Sequence, residues 1–78
     1  MSKKGKIYEV IKDDILYEKG TNVICLEDNS DVPYVISMNL YSLLFDKEIN
    51  LYSESEIDYL CEHSDFIHAI CMYKLKQI

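Results

Sequence analysis

The sequence predicts one small, mainly β domain with five short strands and a single helical segment before the last of them. Three observations carry that prediction. Ile, Val, Tyr, Phe and Thr make up 24 of the 78 residues against a single Ala, which favours pleated over helical backbone. Apolar and polar residues alternate along 6–11 and 32–40, the period of a strand with two different faces. Dense turn chemistry separates these runs at Glu18-Lys19-Gly20 and Asp28-Asn29-Ser30-Asp31. The length allows one domain, and 49% hydrophobic residues is ordinary for a folded chain.

The first strand is expected over 6–11, with Tyr8 and Val10 on one face and Ile7, Glu9 and Ile11 on the other. A long loop follows from Lys12-Asp13-Asp14 through Ile15-Leu16-Tyr17 to Gly20, which can take positive φ. The second strand is read from Thr21 to Glu27, with Ile24 and Leu26 opposite Val23 and Cys25. The third runs from Val32 to Leu40, with Val32, Tyr34, Ile36, Met38 and Leu40 on one face. Pro33 belongs at its start or on an edge, since it donates nothing to a ladder. Residues 42–47 read as an unusually apolar turn, Leu43-Leu44-Phe45. A short strand follows from Glu48 to Tyr52, with Ile49 and Leu51 inward.

Ser53 with Glu56 three residues on is a capping-box spacing, and Ile57, Leu60 and Cys61 share a helical face. A helix over about 54–62 follows. The stretch from Phe66 to Leu75 fits either a strand or a helix, and the alternation of Ile67, Ala69, Cys71, Tyr73 and Leu75 favours reading it as the last strand. Residues 1–5 form a flexible basic arm, 6–76 the domain, and Gln77-Ile78 a fraying end. So small a core requires nearly every Ile, Leu and Val inside.

This order is that of a small SH3-like five-stranded barrel. The runs Tyr8-Glu9-Val10-Ile11-Lys12-Asp13-Asp14-Ile15, Lys19-Gly20-Thr21, Cys25-Leu26-Glu27-Asp28 and Val32-Pro33-Tyr34 resemble those of short SH3-like proteins encoded by bacteriophages and prophages. The resemblance covers about residues 6–36. It implies the barrel fold and a phage or prophage origin, and it carries no catalytic residues. After residue 40 the chain departs from that pattern.

The net charge of −6 is unevenly spread. Residues 1–26 hold five Lys and four acids (+1), 27–65 ten acids and one Lys (−9), and 66–78 two Lys and no acid (+2). An acidic middle and a chain without Arg argue against direct duplex DNA binding, because phosphates would be repelled and the guanidinium fork is missing. No run approaches the roughly 20 apolar residues of a membrane span, and the charged start lacks an apolar signal region. Three cysteines, an odd number, fit free thiols in a reducing cytoplasm, the host's if the chain is phage-encoded.

Candidate chemistry is sparse. Cys61, His63, His68 and Cys71 are zinc ligand types, but C-x-H-x₄-H-x₂-C is no standard finger spacing. On a strand, His68 and Cys71 would also face opposite sides. Cys61 with His63 lacks a nearby oxyanion site for nucleophilic catalysis. Glu27, Asp28 and Asp31 lack the regular acid spacing and glycine of a calcium loop. No glycine-rich phosphate cradle is present.

The expectation is therefore a non-enzymatic protein-binding module without a cofactor, monomeric or homodimeric. Its partner would be a host protein with a basic surface. Two surfaces are candidates: Asp13, Asp14 and Tyr17 in the long loop, and the acidic, tyrosine-bearing set Glu54, Glu56, Asp58, Tyr59, Glu62 and Asp65. Two alternatives remain open. One is a nucleic-acid-associated module using Lys3, Lys4, Lys6, Lys74 and Lys76; the other is a small metal-binding protein built on the Cys/His set.

Overall fold

The computed structural model describes residues 4–26, 31–46, 53–63 and 67–78. The expected strand over 48–52, the Asp28–Ser30 part of the second turn, Phe66 and the candidate Asp65 lie outside them.

Five antiparallel strands form one sheet in the order β4-β3-β2-β1-β5: β1 Ile7–Val10, β2 Asn22–Cys25, β3 Tyr34–Ser37, β4 His68–Ala69 and β5 Leu75–Gln77. Helix α1 spans Met38–Phe45 and α2 spans Glu54–Glu62. A 3₁₀ turn, Met72–Lys74, leads into β5. The β1–β2 register sets Tyr8 opposite Val23, and the β2–β3 register sets Ile24 opposite Ile36 and Cys25 opposite Val35. Glu9 faces Lys76 across β1 and β5, an opposite-charge cross-strand pair.

The sheet is covered on both faces, because successive side chains in a strand point to opposite sides. Tyr8, Val10, Val23, Cys25, Val35 and Leu75 pack on one face with Tyr17 and Ile70. Ile24, Leu26 and Ile36 pack on the other against Met38 and Tyr41 of α1, Ile57 and Leu60 of α2, and Ile67. Each fully buried Ile or Leu contributes roughly 1.5–3 kcal/mol, so Ile57 and Leu60 alone fasten α2 firmly to the sheet.

The helix α1 overturns two expectations. The third strand ends at Ser37 instead of Leu40, and Leu43-Leu44-Phe45 is helical instead of a turn. Strand alternation and helical spacing coincide here, since Met38, Tyr41 and Phe45 also fall at i, i+3 and i+7. Ser37 decides between them by accepting the Leu40 amide at 3.2 Å as an N-cap. Asp46 ends the helix in the left-handed conformation (φ 49°), which Asp tolerates better than most residues, and its amide bonds the Ser42 carbonyl. Among the described residues there are thus two α-helices where one was expected.

The expected last strand is also divided. β4 pairs with β3 and β5 with β1, at opposite edges of the sheet, and residues 70–74 carry the chain between them. Met72 donates to the Asp31 carbonyl at 2.8 Å, and Ile11 donates to the Lys74 carbonyl at 2.8 Å. Gly5 and Ile78 hold to the sheet: the Gly5 amide donates to the Cys25 carbonyl at 2.8 Å and the Ile78 amide to the Ile7 carbonyl at 3.1 Å. Nor are all aliphatic residues inside. Ile15 is 99% exposed, and Leu16, Val32, Leu43, Leu44 and Ile78 also face solvent. No helix among the described residues is long and apolar enough to cross a membrane.

Candidate functional site at the ends of the two helices

The helix α2 forms as its capping spacing requires. Ser53 Oγ accepts the Glu56 amide at 3.3 Å. The Glu56 carboxylate, half-buried, accepts the Tyr41 hydroxyl at 2.7 Å, and the same hydroxyl accepts the Ser53 amide at 3.2 Å. Tyr41 thus stands inside the capping box and ties α2 to α1. Glu56, expected on the partner surface, is turned inward by this bond.

The remaining acids line one stripe. Glu54, Asp58 and Glu62 are spaced i, i+4 and i+8, and all three are exposed. Lys4 meets this stripe with its ammonium 2.9 Å from Asp58 Oδ1. That hydrogen bond, aided by the Asp58 and Glu54 charges, raises the Lys4 pKa.

Beside the stripe lies a groove of about 220 Å³ lined by Leu44, Phe45, Tyr59, Leu60 and His63. Tyr59 is 54% exposed. Its ring stacks on His63 at 4.1 Å and 17°, and meets Phe45 edge-on at 6.3 Å. Phe45 in turn packs on Tyr41 at 4.9 Å. His63 Nδ1 lies 2.9 Å from the Tyr59 carbonyl, an acceptor, so that nitrogen carries a proton. Sequence reasoning placed Tyr59 on this surface but missed Leu44, Phe45 and His63 as its neighbours. The spacing Tyr59-x₃-His63 was the available signal for one contact; the other needed α1.

The long-loop candidates serve the fold. Asp13 Oδ1 accepts the Lys19 amide at 3.1 Å, and Asp14 Oδ2 accepts the Leu16 amide at 3.3 Å. The Lys74 ammonium lies 2.7 Å from Asp14 Oδ1. That bond holds the Asp14 carboxyl below its ordinary pKa and raises that of Lys74. Tyr17 is in the core and not at the surface. Its hydroxyl donates to the Val35 carbonyl at 3.3 Å, and burial raises its pKa.

The Cys/His set is dispersed. Cys61 lies on α2 with its Sγ 3.9 Å from the Leu26 carbonyl, and His63 caps α2. His68 lies in β4 near the Tyr17 ring, and Cys71 precedes the 3₁₀ turn. Among the described residues, no three His, Cys, Asp or Glu side chains converge as metal ligands would. Of the basic residues at the chain's ends, Lys4 and Lys74 are each engaged by a carboxylate.

Comparison of the chain with protein-family models, with curated proteins and with solved structures gave no match.

Proposed function

We propose that this chain is a non-enzymatic protein-binding module on an SH3-like barrel, and that α2 presents its binding surface. The barrel reading is supported by the sheet order, in which β1 lies between β2 and β5, and by the 3₁₀ turn entering β5. The bonds between Met72 and Asp31 and between Ile11 and Lys74 hold the segment that joins the two edge strands, as the short last connection of such a barrel would be held.

The observation that carries the functional reading is the stripe Glu54, Asp58 and Glu62 on a helix whose opposite side is locked into the core. Rigid, aligned carboxylates beside an aromatic surface suit a partner rich in Lys and Arg. The resemblance of residues 6–36 to phage proteins supports a bacterial host protein as that partner. A basic surface that otherwise holds nucleic acid, as in a host defence system such as CRISPR, is the sharper form of the proposal, and inhibition of that protein would be the consequence.

The test is retention of host protein by the immobilised chain at 50 to 500 mM salt, beside the E54K/D58K/E62K variant. Retention that falls steeply with salt and is lost in the variant is expected. Retention indifferent to both refutes the reading. A low-salt mobility shift with DNA or RNA would favour the nucleic-acid alternative instead.

A further inference from the structure

We infer that the groove between the ends of α1 and α2 takes a single arginine side chain of the partner, its stem in the slot and its guanidinium at the rim. This rests on the protein-binding reading above and names what that surface recognises.

Three features of the groove select an arginine. Four of its five lining residues, Leu44, Phe45, Tyr59 and Leu60, are apolar or aromatic and the fifth is His63, so whatever enters must bring mostly apolar surface. Its volume of about 220 Å³ suits one side chain, given that a dry cavity of about 150 Å³ holds a benzene ring. Its surroundings are negative. Both helices end here, α1 at Phe45 and α2 at Glu62, and a helix C-terminus carries about half a negative charge. Neither helix has a basic residue in its last turn to offset that field. Asp46 and Glu62, each next in sequence to a lining residue, are acidic, against the single Lys47 that follows Asp46.

An apolar slot in a negative field matches a long side chain that is aliphatic along its stem and cationic at its tip. Arginine fits better than lysine, because its planar head stacks on aromatic rings, as the planar His63 ring already does on one face of Tyr59 at 4.1 Å. The chain itself contains no arginine, so no segment of its own supplies this group. Lys4 already shows that a cation settles on this helix, at Asp58. A second copy is a poor occupant, because it would bring two acidic stripes together. Nucleic acid is a poor one for the same reason.

The test is an NMR titration of the labelled chain with three short peptides. Each carries flanking lysines and glycines and differs at one position: arginine, its neutral isostere citrulline, or norleucine. The arginine peptide is expected to bind at least fivefold more tightly than either other peptide and to shift Leu44, Tyr59 and His63 resonances. Tyr59→Leu, at a half-exposed site, should remove that preference with the amide spectrum otherwise intact. Equal binding of the norleucine peptide, or arginine shifts confined to Glu54 and Asp58, overturns the inference. If the slot fails this test while host-protein retention still depends on the acidic stripe, the broader reading stands alone. If arginine binds the slot but retention ignores the stripe, the broader reading fails and the slot remains.

Discussion

Replacing Tyr41 by Phe removes one oxygen from the interior and leaves the ring where it is. That oxygen accepts the Ser53 amide at 3.2 Å and donates to Glu56 Oε1 at 2.7 Å. A neutral hydrogen bond contributes about 0.5–1.5 kcal/mol net, and one to a charged group about 1.5–3 kcal/mol. The two bonds set an upper limit of about 4.5 kcal/mol, but Glu56 is only half-buried, so water recovers part of its solvation. A loss of about 2 kcal/mol is expected. In a chain of this length that lowers Tm by roughly 8–16 °C.

Urea unfolding followed by far-UV circular dichroism measures the loss, and the midpoint should fall with an unchanged slope. A double-mutant cycle with Glu56→Ala isolates the charged bond, with an expected coupling of about 1–2 kcal/mol. The contact of the ring with Phe45 at 4.9 Å survives the substitution, so lost packing does not confuse the result. A Y41F change below about 0.5 kcal/mol, or coupling indistinguishable from zero, would refute the idea that this hydroxyl joins α1 to the cap of α2.

Asp14→Asn should flatten both limbs of the stability–pH profile. The Asp14 carboxyl lies below its ordinary pKa because of Lys74, so its contribution is present above about pH 4 and is lost as acid protonates it. The Lys74 ammonium is raised by the same bond, so its contribution is present below about pH 10 and fades above that. Thermal melts of both proteins from pH 2 to 11 measure this; identical profiles would contradict it. Gly20→Ala should cost about 1–2 kcal/mol from backbone strain alone, because φ is +96° while an added Cβ meets nothing within 4 Å. Chemical denaturation measures that cost, and an unchanged midpoint would contradict it.

What was legible in the sequence had a local cause. The helix over 54–62 could be read because Ser53 and Glu56 cap it and Ile57 and Leu60 repeat on one face, all within ten residues. The alternation of Tyr8 with Ile7 and Glu9 identified β1 in the same way. What was missed depends on tertiary context. Met38 to Leu40 satisfies both a strand and a helix period, and the Ser37 cap together with the packing of Met38 and Tyr41 beside Ile36 makes the helix the better choice. Tyr17 was misplaced because a tyrosine in a polar loop looks like an interface residue until the Val35 carbonyl is found waiting for its hydroxyl. The acidic stripe was readable from charge alone; its aromatic neighbour across the groove was not, because Phe45 belongs to the helix that sequence could not place.

The unequal use of acids across the molecule bears on where binding resides. Carboxylates in the long loop are spent on the fold: Asp13 holds Lys19, and Asp14 holds Leu16 and Lys74. Glu56 is likewise spent on Tyr41. Glu54 and Glu62 instead stand exposed on a helix that Ile57 and Leu60 already fasten to the sheet. An exposed ion pair stabilises a fold by less than about 1 kcal/mol, and an exposed row of like charges costs a little through repulsion. Glu54, in the first turn of α2, complements the helix dipole, but Glu62 in its last turn opposes it, so stability gives no reason for Glu62 or for setting it beside Tyr59 and Leu44 in solvent. Attraction of a cationic partner is a physical effect that such a stripe does produce, and it would be strongest where both helices end.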